Sequence, residues 1–171
     1  MDLDTLNRLS AAEFTRALGG IYEHSPWIAT AARARAPFAD ADALVAALRD
    51  AVVQASRTQQ LDLLRAHPEL AGKEAASGTL TAHSSKEQKG AGLINLSEVE
   101  KAELAELNRR YREKFGFPFI IAVRHHTKSS ILAKLRRRAA GDDAEREFVT
   151  CLDQVHEIAR LRLQALLGAK E

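Results

Sequence analysis

The stretch Arg65-Ala66-His67-Pro68-Glu69-Leu70-Ala71-Gly72-Lys73 sets a histidine directly before a proline. The proline pushes His67 out of helical backbone space at the end of an apolar-periodic segment. A helix C-terminus carries partial negative charge, which favours the imidazolium and lifts a histidine toward or above neutrality. Such a residue suits a proton donor; the alternative is a helix cap whose ring bonds free carbonyls. Ser84-Ser85-Lys86-Glu87-Gln88 contains two overlapping capping boxes, Ser84-x-x-Glu87 and Ser85-x-x-Gln88. Read chemically, a helix start there gathers free amide donors, a carboxylate and a carboxamide that suit a small, polar, anionic ring. Read structurally, the same residues only cap.

Near the C-terminus, Phe148, Leu152, Val155, Ala159 and Leu166 form an apolar stripe at helical steps. Arg162 falls in that register and faces inward, whereas Arg160 points well away. An inward arginine needs an anion or several acceptors to offset its desolvation, and an intramolecular salt bridge or snorkelling to solvent satisfies it as well. His83 and Glu87, with His67, His125 and His126, make a metal site imaginable, but their spacing matches no established ligand motif. Arg136-Arg137-Arg138 reads as a solvated basic face, with nucleic acid the other reading. Cys151 lies one residue off the stripe and reads as packing rather than nucleophile. The sequence has no Gly-rich phosphate loop and no Gly-x-Ser-x-Gly elbow.

The elements that must position these groups are helices. Nine glycines and four prolines punctuate a chain rich in alanine and leucine. Ser10-x-x-Glu13 opens a helix to about residue 18, Pro26 a second to about 35, and Asp40 or Asp42 caps a third. The third helix has Leu44, Val45, Leu48, Val52 and Val53 as its apolar face. A fourth spans about 58–66. Residues 69–83 read as a loop, followed by a short helix capped by Ser84 or Ser85. Ser97-x-x-Glu100 opens a long helix ending before Gly116, and two more cover about 127–140 and 142–167. Phe117–Val123 is the one segment free to be extended, and Pro118 argues against a central strand. The expectation is an all-α, single-domain bundle of about eight helices over residues 1–171.

At 171 residues the chain can hide about 70% of its unfolded surface without staples. One cysteine excludes an internal disulfide and fits a reducing compartment. A formal charge of +2 argues against sequence-independent phosphate binding. No apolar run reaches bilayer length, the N-terminus lacks the pattern of an export signal, and Ala169-Lys170-Glu171 is not a peroxisomal address. A cytoplasmic protein binding neither membrane nor nucleic acid is expected.

Three motifs in order carry a resemblance: His67 to Lys73, Ser84-Ser85-Lys86-Glu87-Gln88-Lys89-Gly90-Ala91-Gly92-Leu93, and Tyr111 to Val123. They are similar to the OHCU decarboxylases, which act on 2-oxo-4-hydroxy-4-carboxy-5-ureidoimidazoline on the route from urate to allantoin. Glu23-His24-Ser25-Pro26-Trp27 and Ile158-Ala159-Arg160-Leu161-Arg162-Leu163 also fit, so the similarity spans nearly the whole chain. The resemblance implies an all-helical fold, commonly a homodimer, that uses no cofactor or metal. It implies that His67 is the catalytic acid and Glu87 its carboxylate partner. Pro68, Ser84, Ser85, Lys86, Glu87 and Gln88 line the substrate, with the backbone of Phe119, Ile120, Ile121, Ala122 and Val123. It further implies an arginine of the last helix, which the register assigns to Arg162. The resemblance implies a ureidoimidazoline substrate and neighbouring reactions that belong to uricase and hydroxyisourate hydrolase. Arg124-His125-His126 departs from a pattern in which many members have a glycine soon after the Ile-Ile-Ala-Val run. Two other classes remain in view: a helical interaction module with an exposed apolar face, and a metal-dependent hydrolase using His67, His83 and Glu87.

Overall fold

A computed structural model describes residues 1–168, so Ala169-Lys170-Glu171 lies outside the described residues. Ten α-helices and one 3-10 turn account for the regular structure, with no strand among the described residues. The chain forms two compact units. One is Met1–Ala66 with the chain from His156 onward; the other is His67–Val155.

In the first unit, α1 (Leu3–Arg8), α2 (Ala11–Leu18), α3 (Pro26–Arg33), α4 (Ala41–Val53) and α5 (Arg57–Arg65) follow in short succession. Most starts are local hydrogen-bond solutions for orphan N–H groups. Asp2 and Asp40 accept from the backbone three residues on, and Ser10 and Ser56 form complete capping boxes with Glu13 and Gln59. Helix α1 was not expected from the sequence, because six residues carry too little periodicity to announce themselves. Successive helices α2, α3 and α4 pack against one another. Phe14 stacks on Phe38 at 6.0 Å. Asn7 holds Phe38 by both backbone groups, at 2.9 and 2.8 Å. Leu44, Leu48 and Val52 are buried on α4 as the periodicity requires, but Val53 is 60% exposed. Ala47 takes its place on the inner face.

The second unit contains α6 (Lys73–Ser77), α7 (Ala82–Gly90), α8 (Glu98–Phe115), the 3-10 turn Val123–His125, α9 (Lys128–Ala140) and the first part of α10 (Ala144–Gly168). Helix α8 opens on the Ser97–Glu100 capping box and closes on Gly116 at φ 79°, a left-handed position that suits glycine. Tyr111 is wholly buried among Phe115, Phe117 and Phe119, at ring separations of 4.7, 6.2 and 5.5 Å. Residues 118–122 belong to no helix or strand, and 117–123 are buried throughout.

Two expectations need correction in this unit. Residues 69–83 are not all loop, since they hold α6 and the start of α7. Helix α7 is capped by Thr81, whose hydroxyl accepts the Ser84 N–H at 3.3 Å, so Ser84 and Ser85 lie within the helix and neither caps it. Starting one turn earlier puts Ser84 and Gln88, four residues apart, on one buried face. If Thr81 is the cap, Thr81→Ala lowers stability by about 0.5–2 kcal/mol. Exposed mid-helix Ser85→Ala then stays within about 0.5 kcal/mol of the parent. Urea unfolding followed by circular dichroism reads both; the opposite ranking restores the later start.

Candidate active site

Helix α5 ends at Arg65 with Ala66 as its C-cap, and the chain leaves the helix at His67 as the following proline demands. His67 is buried at 6% exposure; Pro68 and Glu69 are half-buried. The loop behind them is held from three residues. Gln88 Nε2 donates to the Glu69 carbonyl at 3.3 Å, and its Oε1 accepts the Ala71 N–H at 2.8 Å. Asn108 Nδ2 donates to the Leu70 carbonyl at 3.0 Å, and Arg112 Nε donates to the Glu69 carboxylate at 2.6 Å. The turn is tight: Ala71 takes φ 49°. A Cβ on Gly72 would lie 2.7 Å from Glu69 Cβ, so the motif's glycine is sterically required.

Helix α7 contributes its residues unequally. Ser84 and Gln88 are buried, Glu87 is half-buried, and Ser85 and Lys86 are exposed. Gln88 reads as a brace before it reads as a ligand contact, because both ends of its carboxamide already serve the 69–71 loop. Each end keeps one further donor or acceptor position. Ser85, Gln88, Ala71, Leu80, Leu93 and Lys101 border a cavity of about 500 Å³. Helix α7 also packs against the 3-10 turn that ends the Phe117–Val123 segment. The unit therefore gathers three predicted stretches: the loop from His67, helix α7 and residues 119–123.

Residues 119–123 present backbone rather than polar side chains. The Ile120 carbonyl accepts from Arg138 Nη1 at 2.8 Å, and the Ala122 N–H donates to Gln154 Oε1 at 3.0 Å. The Ala122 and Val123 carbonyls accept the His125 and His126 N–H groups at 3.1 and 3.0 Å. Sequence reasoning placed Arg138 on a solvated face, and that is overturned. Its side chain is 9% exposed, pairs with Glu147 at 2.6 Å and lies 4.5 Å over the Phe119 ring. Tyr111 donates to the same Glu147 carboxylate. The signal was present in the sequence: Ile131, Leu135 and Arg138 keep a four-then-three step, with the first two fully buried. Cys151, also fully buried, touches Tyr111 and Arg138 at 3.3 and 3.2 Å. Burial pushes its thiol up from the usual range, which suits packing.

At the departure from the family pattern, Arg124 and His125 are exposed, while His126 is half-buried. Burial first, and then electrostatic repulsion from Lys134 and His125, holds His126 below its ordinary range. Among the described residues, no three His, Cys, Asp or Glu side chains cluster so as to hold a metal ion. His83 is exposed.

Arg162 belongs to the other unit. It is 2% exposed, and its Nη1 meets Glu23 Oε2 at 2.7 Å and the Gly20 and Ile21 carbonyls at 3.4 and 3.5 Å. The inward register is observed, together with the salt bridge named as its alternative. Arg160 is part exposed and pairs with Glu157 at 2.6 Å. Glu23, itself 2% exposed, was quoted from the sequence only as part of the upstream motif.

An all-helical frame presenting a buried histidine, a neighbouring carboxylate-bearing helix and a backbone-lined segment defines a helical enzyme. The OHCU decarboxylase profile matches residues 7–164, and the chain belongs to that family. It is 44% identical over 163 residues to the 2-oxo-4-hydroxy-4-carboxy-5-ureidoimidazoline decarboxylase of Haloferax volcanii, covering 95% of this chain and 94% of that one. It is 37% identical to a uric acid degradation bifunctional protein of Bacillus sp., over 100% of this chain but 33% of that protein. A crystal structure of (S)-allantoin synthase superposes with a TM-score of 0.76 at 34% identity, over 98% of this chain and 54% of that chain.

Removing one partner of a buried ion pair commonly costs about 3–5 kcal/mol. Glu23→Ala is accordingly expected to lower unfolding free energy by that order. Denaturant titration measures it, and a loss under about 1 kcal/mol shows that the pair is solvated in solution.

Proposed function

We propose that this chain, acting as one domain over residues 1–171, converts 2-oxo-4-hydroxy-4-carboxy-5-ureidoimidazoline to (S)-allantoin and CO2. The observation that carries this reading is the meeting of the His67 loop, helix α7 and residues 119–123 within one compact unit of a chain matched along its length by the family.

The chemistry asks little beyond what these residues supply. The carboxylate leaves a ring carbon beside a C=N bond, so the electron pair of the breaking C–C bond flows into that imine. The imine nitrogen takes up a proton as CO2 leaves, and the resulting enol then loses its hydroxyl proton as the adjacent carbon gains one on one face, so that one proton is consumed overall. An internal electron sink makes a pyridoxal or thiamine sink unnecessary. His67 is the proton donor, and Glu87 is its carboxylate partner. Pro68, Ser84, Gln88 and the backbone of Phe119 to Val123 line the ring, whose amides alternate donors and acceptors. Ser85 and Lys86, exposed on α7, serve at the rim. Arg162 binds the substrate's carboxylate or ureido group through its guanidinium. Metal plays no part.

The name of the Bacillus relative supports coupling to urate breakdown, with uricase and hydroxyisourate hydrolase upstream. We further propose a cytoplasmic homodimer: the lone, buried Cys151 suits a reducing compartment, and light scattering tests the stoichiometry.

The labile substrate is generated from urate with those two enzymes, and the appearance of (S)-allantoin is followed by circular dichroism. His67→Asn abolishes the acceleration in a folded protein, and Glu87→Gln loses most of it. Arg162→Lys keeps a charge opposite Glu23 but lacks the planar fork, so kcat/KM falls about tenfold or more. Arg160→Ala changes it less than about threefold. An active His67→Asn removes the proposed acid, and inactivity of the parent protein removes the assignment.

A further inference from the structure

Ile121 lies between two residues whose backbone is held by side chains from different helices. Arg138 on α9 donates to the Ile120 carbonyl at 2.8 Å, and Gln154 on α10 accepts the Ala122 N–H at 3.0 Å. Neither the N–H nor the C=O of Ile121 has a hydrogen-bond partner among the described residues, although Ile121 is only 4% exposed. A buried peptide donor and acceptor left in that state need a partner.

Peptide planarity converts the two clamps into a direction. In a trans peptide the C=O and N–H of one plane point opposite ways. The plane joining Ile120 to Ile121 has its carbonyl held by Arg138, so the Ile121 N–H points away from Arg138. The plane joining Ile121 to Ala122 has its N–H held by Gln154, so the Ile121 C=O points away from Gln154. Two side chains thus set both directions of one donor–acceptor pair. Arg138 is itself fixed by Glu147 and by the Phe119 ring, and Glu147 by Tyr111. Gln154 has no comparable brace, and it is half-buried.

We propose that Gln154, with Arg138 as its counterpart, is a positioning residue that aims the Ile121 peptide groups at the alternating amide edge of the substrate ring. This rests on the decarboxylase reading above, and neither residue needs to touch the substrate itself. The role requires only an acceptor oxygen at the end of residue 154.

Gln154→Leu removes the acceptor, and Gln154→Glu keeps one at the same reach. The expected result is a rise of about tenfold or more in KM, with a smaller change in kcat, for Gln154→Leu. Gln154→Glu is expected within threefold of the parent, and both melting temperatures within about 3 °C of it. Hydrogen exchange by mass spectrometry over residues 119–125 gives a readout independent of turnover, with faster exchange in Gln154→Leu and parental exchange in Gln154→Glu. Arg138→Met strands Glu147 and is expected to lower stability, so the Gln154 pair carries the test. Parental KM in Gln154→Leu, or a Glu variant as impaired as Leu, overturns the proposal. If the parent protein does not accelerate the decarboxylation, the functional reading fails, while the exchange comparison still decides whether Gln154 holds the segment.

Discussion

A buried stretch of backbone that joins neither helix nor sheet must find partners for its N–H and C=O groups, because leaving them unpaired away from water is costly. Residues 117–123 are that stretch, and the second unit supplies partners to the groups on either side of Ile121. Arg138 and Gln154 reach in from the two following helices, and the 3-10 turn folds back onto the last carbonyls. The Arg138–Glu147–Tyr111 cluster sits beneath, ringed by Phe115, Phe117 and Phe119. A buried charge of this kind is tolerated when it is paired and hydrogen-bonded, and Arg138 has a carboxylate, a carbonyl and an aromatic face. What helix formation cannot do for this segment, side chains do one bond at a time.

The loop after His67 follows the same logic on a smaller scale. Its Glu69 and Leu70 carbonyls and Ala71 N–H are met by Gln88 and Asn108, and its Glu69 carboxylate by Arg112, drawn from helices α7 and α8. Both irregular segments are therefore rigid because their surroundings specify them, and this is the condition for holding a reacting group in one geometry. Gln88 and Glu69, both polar residues of the motifs, accordingly spend part of their bonding on shape.

Arg162 and Glu23 raise the same question in the other unit. A guanidinium taken out of water here is met by the Glu23 carboxylate and by the Gly20 and Ile21 carbonyls. The carboxylate holds the planar fork in a set orientation.

Helix type and most helix starts were legible in the sequence because both are local. Ser10, Asp40 and Ser97 satisfy N–H groups within three residues, and a four-then-three apolar step needs nothing beyond its own helix. The inward face of Arg162 was legible for the same reason. Helix α1 was too short for periodicity to register. The start of α7 was misplaced because Thr81, Ser84 and Ser85 are all competent caps, and only burial of Ser84 with Gln88 against a distant loop selects Thr81. Arg138 sat in a basic run that composition assigns to solvent; its step from Ile131 and Leu135 gave the inward face, but the Glu147 carboxylate and Ile120 carbonyl that make burial of its charge tolerable come from other segments. Local hydrogen bonds and helical period belong to the sequence by itself. Which of several equal caps is used, and which charge is taken from water, depends on partners that exist only once the chain has folded.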